Sequence, residues 1–304
     1  MTASVVPGLV STVILNWNGL ADTVECIRSC QQLAYPHNTL LVVDNGSTDG
    51  SVAGLHELFP DLKIIETGAN LGYAGGNNVG IETALAHGAE FIWLLNNDTT
   101  VDPAALGELV AALQARPKTG IAGSKILYSS QPDVLWFAGG EVSARWGYAR
   151  HRGLNETDIG QYENVGPCDF ITGCSLLIRS NVVTQIGLMR EDYFLYWEDV
   201  DWNVRAAAAG WESLFVPTSR VRHKVSGSSK DAAGRINTKP CRYEMRNRIL
   251  FHKRHRPWWL GMVLLGACRY AWKQFVYERG PRLGIAAIRG AIDGLLNRTG
   301  PIRD

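Results

Sequence analysis

Four short apolar runs, each parted from the next by a stretch long enough for one helix, constrain this chain more than any other feature. Ser11–Asn16 (STVILN), Leu40–Asp44 (LLVVD), Leu62–Glu66 (LKIIE) and Phe91–Leu95 (FIWLL) read as buried strands. Leu20–Leu33, Ser51–Phe59 and Ala74–His87 lie between them and fit crossover helices. Such alternation predicts an α/β fold with a mostly parallel central sheet covered by helices on both faces. Pro103–Arg116 continues the pattern as a helix, with Asp102 as its N-cap and Pro103 at the first helical position.

From about Ile121 the pattern loosens. Ile121–Tyr128, Val134–Ala138, Ser175–Ile178 and Leu214–Val216 are strand-like, mixed with Gly-rich and polar loops, and suggest an antiparallel extension of the same sheet. Glu198–Ala209 reads as a helix ended by Gly210, Ser226–Gly234 as a mobile loop, and Pro240–Arg256 as a basic helix. The uncharged run Trp258–Cys268 is shorter than the ~20 apolar residues of a membrane span. Its paired Trp, basic flanks and later aromatics (Tyr270, Trp272, Phe275, Tyr277) fit an amphipathic helix in a lipid headgroup region. A helix packed on the main domain or at a dimer interface fits as well. A last amphipathic helix spans Arg282–Arg298.

With 304 residues, 46% of them hydrophobic and 19% charged, the chain can bury a large core, which excludes disorder, collagen and a disulfide scaffold. The formal net charge of +1 hides an asymmetry: residues 220–256 hold 12 Lys and Arg against Asp231 and Glu244. That balance points to an anionic partner, whether phosphate, membrane surface or nucleic acid. The six cysteines form no C-x-x-C pair and no zinc spacing, as expected of reduced cytosolic thiols. No basic residue precedes Arg28, so no secretory signal is expected and the site of action is taken as cytoplasmic.

Five segments carry chemistry. In Val42–Ser51 (VVDNGSTDGS), Asp44 ends a strand, where ligands of open α/β sheets bind. It suits a contact to a base or ribose, or equally a turn. Asn70–Asn78 (NLGYAGGNN) is a Gly-rich strand-to-helix turn that allows close backbone approach. In Leu94–Pro103 (LLNNDTTVDP), Asp98 leaves a central strand, where a cation bridging two phosphates needs a carboxylate. Tyr193–Trp202 (YFLYWEDVDW) bunches Glu198, Asp199 and Asp201 behind aromatics that would raise a carboxyl pKa toward that of a general base. Arg205, four residues after Asp201, would make that acid structural. His223, in HKVSGSS, sits in a setting that receives phosphate or a metal–phosphate pair, and Arg246-Asn247 would reach the same anion.

In this order, these segments together with ILNWNG at 14–19 resemble glycosyltransferase family 2, the inverting GT-A-fold enzymes that use nucleotide-diphosphate sugars, and most of all its bacterial rhamnosyltransferase-like branch. The resemblance implies a Rossmann-like GT-A domain over 1–250, with a nucleotide-binding half (1–120) and an acceptor half (121–250), followed by a helical tail (251–304). It implies that Asn16, Asn18, Asp44, Asn70, Gly72, Asn77, Asn97 and Arg246 line the nucleotide-sugar site. It further implies that Asp98 and His223 hold Mg²⁺ or Mn²⁺, that Asp199 is the base, and that Glu198 orients Asp199 or touches the acceptor. The family's D-x-D reads Asn96-Asn97-Asp98 here, so its first acid is missing.

The expected partners are a dTDP- or UDP-sugar donor, a glycan or lipid-linked glycan acceptor, the inner face of the cytoplasmic membrane through 251–280, and a second copy in a homodimer; nucleic acid is not expected. Two rivals remain. A sugar-phosphate nucleotidylyltransferase would want a Gly-rich basic loop near the first strand, which ILNWNGLADT lacks. A non-catalytic module binding anionic surfaces would use only the basic segment.

Overall fold

The computed structural model describes residues 4–143, 147–225, 237–278 and 280–302. The four apolar runs form β1 (Val6–Asn16), β2 (Asn38–Asp44), β3 (Lys63–Glu66) and β4 (Ala89–Asn96), joined by α1 (Leu20–Cys30), α2 (Ser51–Leu58) and α3 (Gly72–Ala86). β1 pairs in parallel with β2 and β4, and β2 with β3. Val13, Ile14, Val42, Val43 and Phe91–Leu94 are fully buried, which explains why these strands lack in–out alternation. Each such side chain contributes roughly 1.5–3 kcal/mol of burial.

The chain continues through β5 (Thr99–Val101), α4 (Ala105–Ala115), β6 (Thr119–Tyr128), β7 (Leu135–Phe137), β8 (Gly140–Ser143), β9 (Tyr148–His151), β10 (Gly166–Cys168), β11 (Ser175–Arg179), α5 (Ser180–Ile186), α6 (Glu198–Ala208) and β12 (Glu212–His223). β11 lies antiparallel between β4 and β6, so both halves share one sheet. The extension is not wholly antiparallel as expected: β12 runs parallel to β6, because the long connection through α5 and α6 brings the chain back to the same end of the sheet. α4 starts two residues later than expected and Asp102 is not its side-chain cap. The Asp102 backbone oxygen accepts from Ala105 N, and its carboxylate faces Arg222 at 3.9 Å.

Three helices follow: α7 (Lys239–His255), α8 (Leu260–Lys273) and α9 (Pro281–Leu295), with α8 and α9 packed on each other and on α7. The boundary expected at 250/251 falls inside α7, whose Leu250 and Phe251 belong to the main core. The expected loop at 226–234 lies outside the described residues. The basic segment is not one open strip: Lys224 pairs with Asp22 (2.6 Å) and Glu25 (2.7 Å), Arg242 with Asp293 (2.7 Å), and Arg254 with Asp192. These three of its twelve cations are thus paired with acids of the same molecule.

α3 lies close on β1 and β2 because its packed face is built from glycines. A Cβ at Gly80 would run into Val13 and stand 3.2 Å from Val43 Cγ2. Gly80→Val should therefore cost about 1–3 kcal/mol by overpacking. It should lower the urea midpoint at unchanged slope. An unchanged midpoint would show that α3 can move off the sheet freely.

Candidate active site

The register of the parallel strands sets Asn16 beside Asp44 and Leu15 beside Asn96, so three carboxyl ends meet at one edge of the sheet. There a buried network forms. Asn16 Nδ2 donates to Asp44 Oδ2 (2.7 Å), Thr23 Oγ1 donates to Asn16 Oδ1 (2.8 Å), Asn97 Nδ2 donates to Thr23 Oγ1 (2.9 Å), and Ser47 N donates to Asp44 Oδ1 (2.9 Å). Asn16 and Asp44 are at most 1% exposed and all their side-chain oxygens are engaged. In this structure they brace the 44–47 turn at the strand ends, and each Asp44 oxygen keeps a second acceptor site. Asn18 is exposed and accepts Thr48 N (2.8 Å); Asn97 and Asn70 are half-buried.

Two other expected donor contacts also turn inward. Asn77 is buried and donates to the Tyr73 carbonyl within α3 (2.9 Å). Gly72 has φ +78°, and a Cβ there would strike the Phe194 carbonyl, so this position needs glycine for a chain crossing. That crossing brings Tyr73 N to Phe194 O at 2.7 Å and ties the start of α3 to the loop before α6.

Asp98 follows β4, and β5 pairs antiparallel with the end of β12, which delivers His223 to it. His223 Nε2 stands 3.0 Å from Asp98 Oδ1, with the side chains 7% and 13% exposed. Two cis ligands of an octahedral cation at bonds of about 2.1 Å would also be about 3 Å apart. The His223 Nδ1 atom is buried without a hydrogen-bond partner, so no second bond fixes the ring for another role. Hard carboxylate oxygen plus imidazole suits a divalent cation such as Mn²⁺. Among the described residues no group of three or more His, Cys, Asp or Glu is placed to hold a metal, so diphosphate oxygens and water would have to complete its shell. Behind His223, Trp136 packs edge-on at 4.5 Å between it and His151. Burial, and then the nearby His223, push His151 down to about 4, so it is neutral near pH 7.

The acid cluster is presented by a loop in the left-handed backbone region: Phe194, Tyr196 and Trp197 have φ of 65°, 69° and 75°. Each such non-glycine residue costs of order 1–3 kcal/mol. Asn247 on α7 holds the loop by donating to the carbonyls of Tyr193 (2.9 Å), Leu195 (2.7 Å) and Tyr196 (2.9 Å). Arg246 acts beside it, bonding Tyr193 O, Gly300 O and Asn247 Oδ1 while 2% exposed. Arg246 as a donor-phosphate ligand is therefore corrected: its guanidinium is consumed in the fold.

Asp199 is half-buried and accepts Gly173 N (3.0 Å) and Val200 N (2.7 Å). Burial raises its pKa, and those two N–H groups and the Thr172 hydroxyl oppose the rise. Glu198 is raised much further, by burial first and then by the Asp199 charge, and its Oε2 has no hydrogen-bond partner. Asp201 is structural, as its spacing to Arg205 suggested: it bonds Arg205 (2.7 Å) and His255 (2.7 Å). The Gly173–Cys174 turn links the two acidic sites. Gly173 N binds Asp199, the Cys174 carbonyl accepts Asn96 N (3.1 Å), and the Cys174 thiol is pushed up by burial and by the charges of both Asp98 and Asp199.

Sequence reasoning missed Tyr73, whose hydroxyl donates to Gly173 O (2.8 Å) and is pushed up by burial and by Glu198 and Asp199. It also missed Trp136 and the loop-holding role of Asn247. Tyr73 lay inside the Gly-rich segment already singled out; nothing in the sequence marked Trp136.

Comparison with known proteins matches residues 11–184 to the family model for glycosyl transferase family 2. An N-acetylglucosaminyl-diphospho-decaprenol L-rhamnosyltransferase of Mycobacterium tuberculosis is 30% identical over 239 residues, 73% of this chain and 76% of that one. A low-salt glycan biosynthesis hexosyltransferase of Haloferax volcanii is 25% identical over 95% of this chain and 92% of its own. A mannosyltransferase of Pyrobaculum calidifontis, solved with GDP-mannose and Mn²⁺, superposes with a TM-score of 0.60 at 14% identity, covering 95% of this chain and 87% of that one.

The Glu198 environment has a consequence for stability. Because its folded pKa is raised, ionising this carboxyl removes stability as pH rises through the folded value. Below the unfolded glutamate pKa of about 4.3 it is neutral in both states and the penalty is absent. Glu198→Gln should raise the urea midpoint above wild type at about pH 8, with the gain vanishing near pH 4. A variant less stable than wild type at both pH values would contradict this environment.

Proposed function

The chain belongs to glycosyl transferase family 2 and is a glycosyltransferase of GT-A fold; from that premise we propose that it moves a sugar, by a single inverting displacement, from a nucleotide-diphosphate donor to a hydroxyl of a glycan or lipid-linked glycan. The observation that carries this is the pair of acidic sites joined by the Gly173–Cys174 turn: Asp98 with His223 on one side and Asp199 on the other. A sugar seated between them would have its diphosphate toward Asp98 and its open face toward Asp199.

Asp98 and His223 would hold Mg²⁺ or Mn²⁺, which when bound offsets the negative charge that grows on the leaving diphosphate. Asp199, raised by partial burial yet held in place by Gly173 N and Val200 N, takes the proton of the acceptor hydroxyl. The freed oxygen attacks the anomeric carbon from the face opposite the diphosphate, which departs with its bonding electrons. The neighbouring Glu198 keeps its proton more readily, so it can donate a hydrogen bond to the acceptor while Asp199 is ionised. No covalent enzyme intermediate is needed. Cys174 is no nucleophile: it is 3% exposed and its thiol is held well above the usual range.

The rhamnosyltransferase relative supports a rhamnosyl donor, and its N-acetylglucosaminyl-diphospho-decaprenol acceptor supports a lipid-diphosphate-linked acceptor here. Asp199→Asn should lower kcat by about 10²–10⁴-fold while calorimetry still registers donor nucleotide binding. The acid limb of the wild-type kcat/KM profile should lie above the usual aspartate range, because the folded pKa is raised. Turnover surviving in the variant would remove Asp199 from the role of base.

A further inference from the structure

The two C-terminal helices are built the wrong way round for helices that only pack on a domain. α9 turns Leu283, Ala286, Ala287, Gly290 and Gly294 inward; Cβ atoms at the two glycines would meet the Arg242 and Arg246 carbonyls of α7. Its large apolar residues face out instead: Ile285, Ile288, Ile292 and Leu295 are 41–46% exposed, spaced as one helical stripe. α8 repeats the arrangement. Val263, Ala267 and Ala271 are buried, whereas Leu265 (62%) and Trp272 (66%) are exposed, as is Trp258 (76%) in the turn before it. Contiguous apolar surface of this kind marks an interaction site.

The charges around the stripe are of one sign. The two helices carry Arg269, Lys273, Arg282 and Arg289, all exposed, against Asp293 alone, which is 3% exposed and paired with Arg242 and Arg298. A cavity of about 160 Å³ opens beside Ile285, lined by Lys239, Arg282 and Arg289, with Arg242 in its wall paired to Asp293. Apolar side chains and tryptophans next to a pocket of cations match the layered chemistry of an anionic bilayer surface: acyl chains, then phosphate. An isologous contact between two copies through this face would instead bring two cationic rims together with no exposed acid on either helix to answer them.

We propose that the outer face of α8 and α9, with the cationic cavity between α7 and α9, docks the enzyme on an anionic phospholipid surface. The face overlaps the segment 251–280 expected from sequence through Trp258 and α8, and extends past it to α9; Phe251 and His252 are buried in α7 and take no part. Among the described residues no helix is long and apolar enough to cross a membrane, so attachment would be to one leaflet. The inference rests on the transferase reading with a lipid-linked acceptor, which docking would hold on the same surface as the enzyme.

The test uses the full chain and vesicles of phosphatidylcholine with or without phosphatidylglycerol, without donor or acceptor, so docking and catalysis can fail separately. Wild type should sediment with the anionic vesicles at least tenfold more strongly than with the neutral ones, and less as salt rises. Ile288→Asp with Ile292→Asp, and separately Arg282→Glu with Arg289→Glu, should each weaken binding by about tenfold or more. Both variants should keep the wild-type melting profile and donor hydrolysis rate. Wild type that ignores anionic vesicles, or variants that bind as wild type does, would overturn the proposal. So would a wild-type dimer in light scattering that Ile288→Asp with Ile292→Asp converts to monomer, since a second copy would then cover the face.

Discussion

The side-by-side register of β1, β2 and β4 decides where chemistry can occur in this molecule. Because Asn16 stands beside Asp44 and Leu15 beside Asn96, three chain reversals open at one edge of the sheet. The Asn16–Asp44–Thr23–Asn97 network then locks those reversals together through buried, mutually satisfied polar groups. Asp98 follows directly on this network in the turn between β4 and β5, and β12 brings His223 to it because its far end pairs with β5. A slip of one residue in β4 would flip its side chains to the other face and displace the turn that carries Asp98.

The second half of the site rests on a different device. The loop before α6 holds three non-glycine residues in the left-handed region and cannot persist alone. Asn247 and Arg246, buried on α7, bind four of the loop and tail carbonyls, and the start of α3 adds another bond at Phe194 O. α7 thereby holds in place the segment that carries Glu198 and Asp199. Among the basic residues of α7, Arg246 serves this purpose, whereas Arg242 pairs with Asp293 and Arg254 with Asp192.

The architecture was legible where one local pattern dominated. The apolar runs and their spacing fixed β1 to β4 and the helices between them, and Gly210 marked the end of α6. The parallel pairing of β12 with β6 was not legible, because strand direction depends on a connection of more than thirty residues and not on the strand itself. At the site, residue types were read correctly as polar groups at strand ends, but which way they point was not. Asn16, Asp44, Asn77 and Arg246 carry the same chemistry whether they face a ligand or another group of the protein, and only packing decides between these. The outward isoleucines of α9 were read as an amphipathic stripe, but the glycines that pack its opposite face reverse the usual sense of which side is buried.

The central claim is that Asp98 with His223 and Asp199 face one donor from its two ends. The most direct measurement is a crystal structure with Mn²⁺ and a thymidine or uridine diphosphate, with manganese located by its anomalous scattering. The account predicts manganese bonded to Asp98 and His223, the diphosphate against it, and the Asp199 carboxylate across the space left for the sugar. Manganese and diphosphate bound at any other face of the sheet, with these three side chains uninvolved, would contradict it.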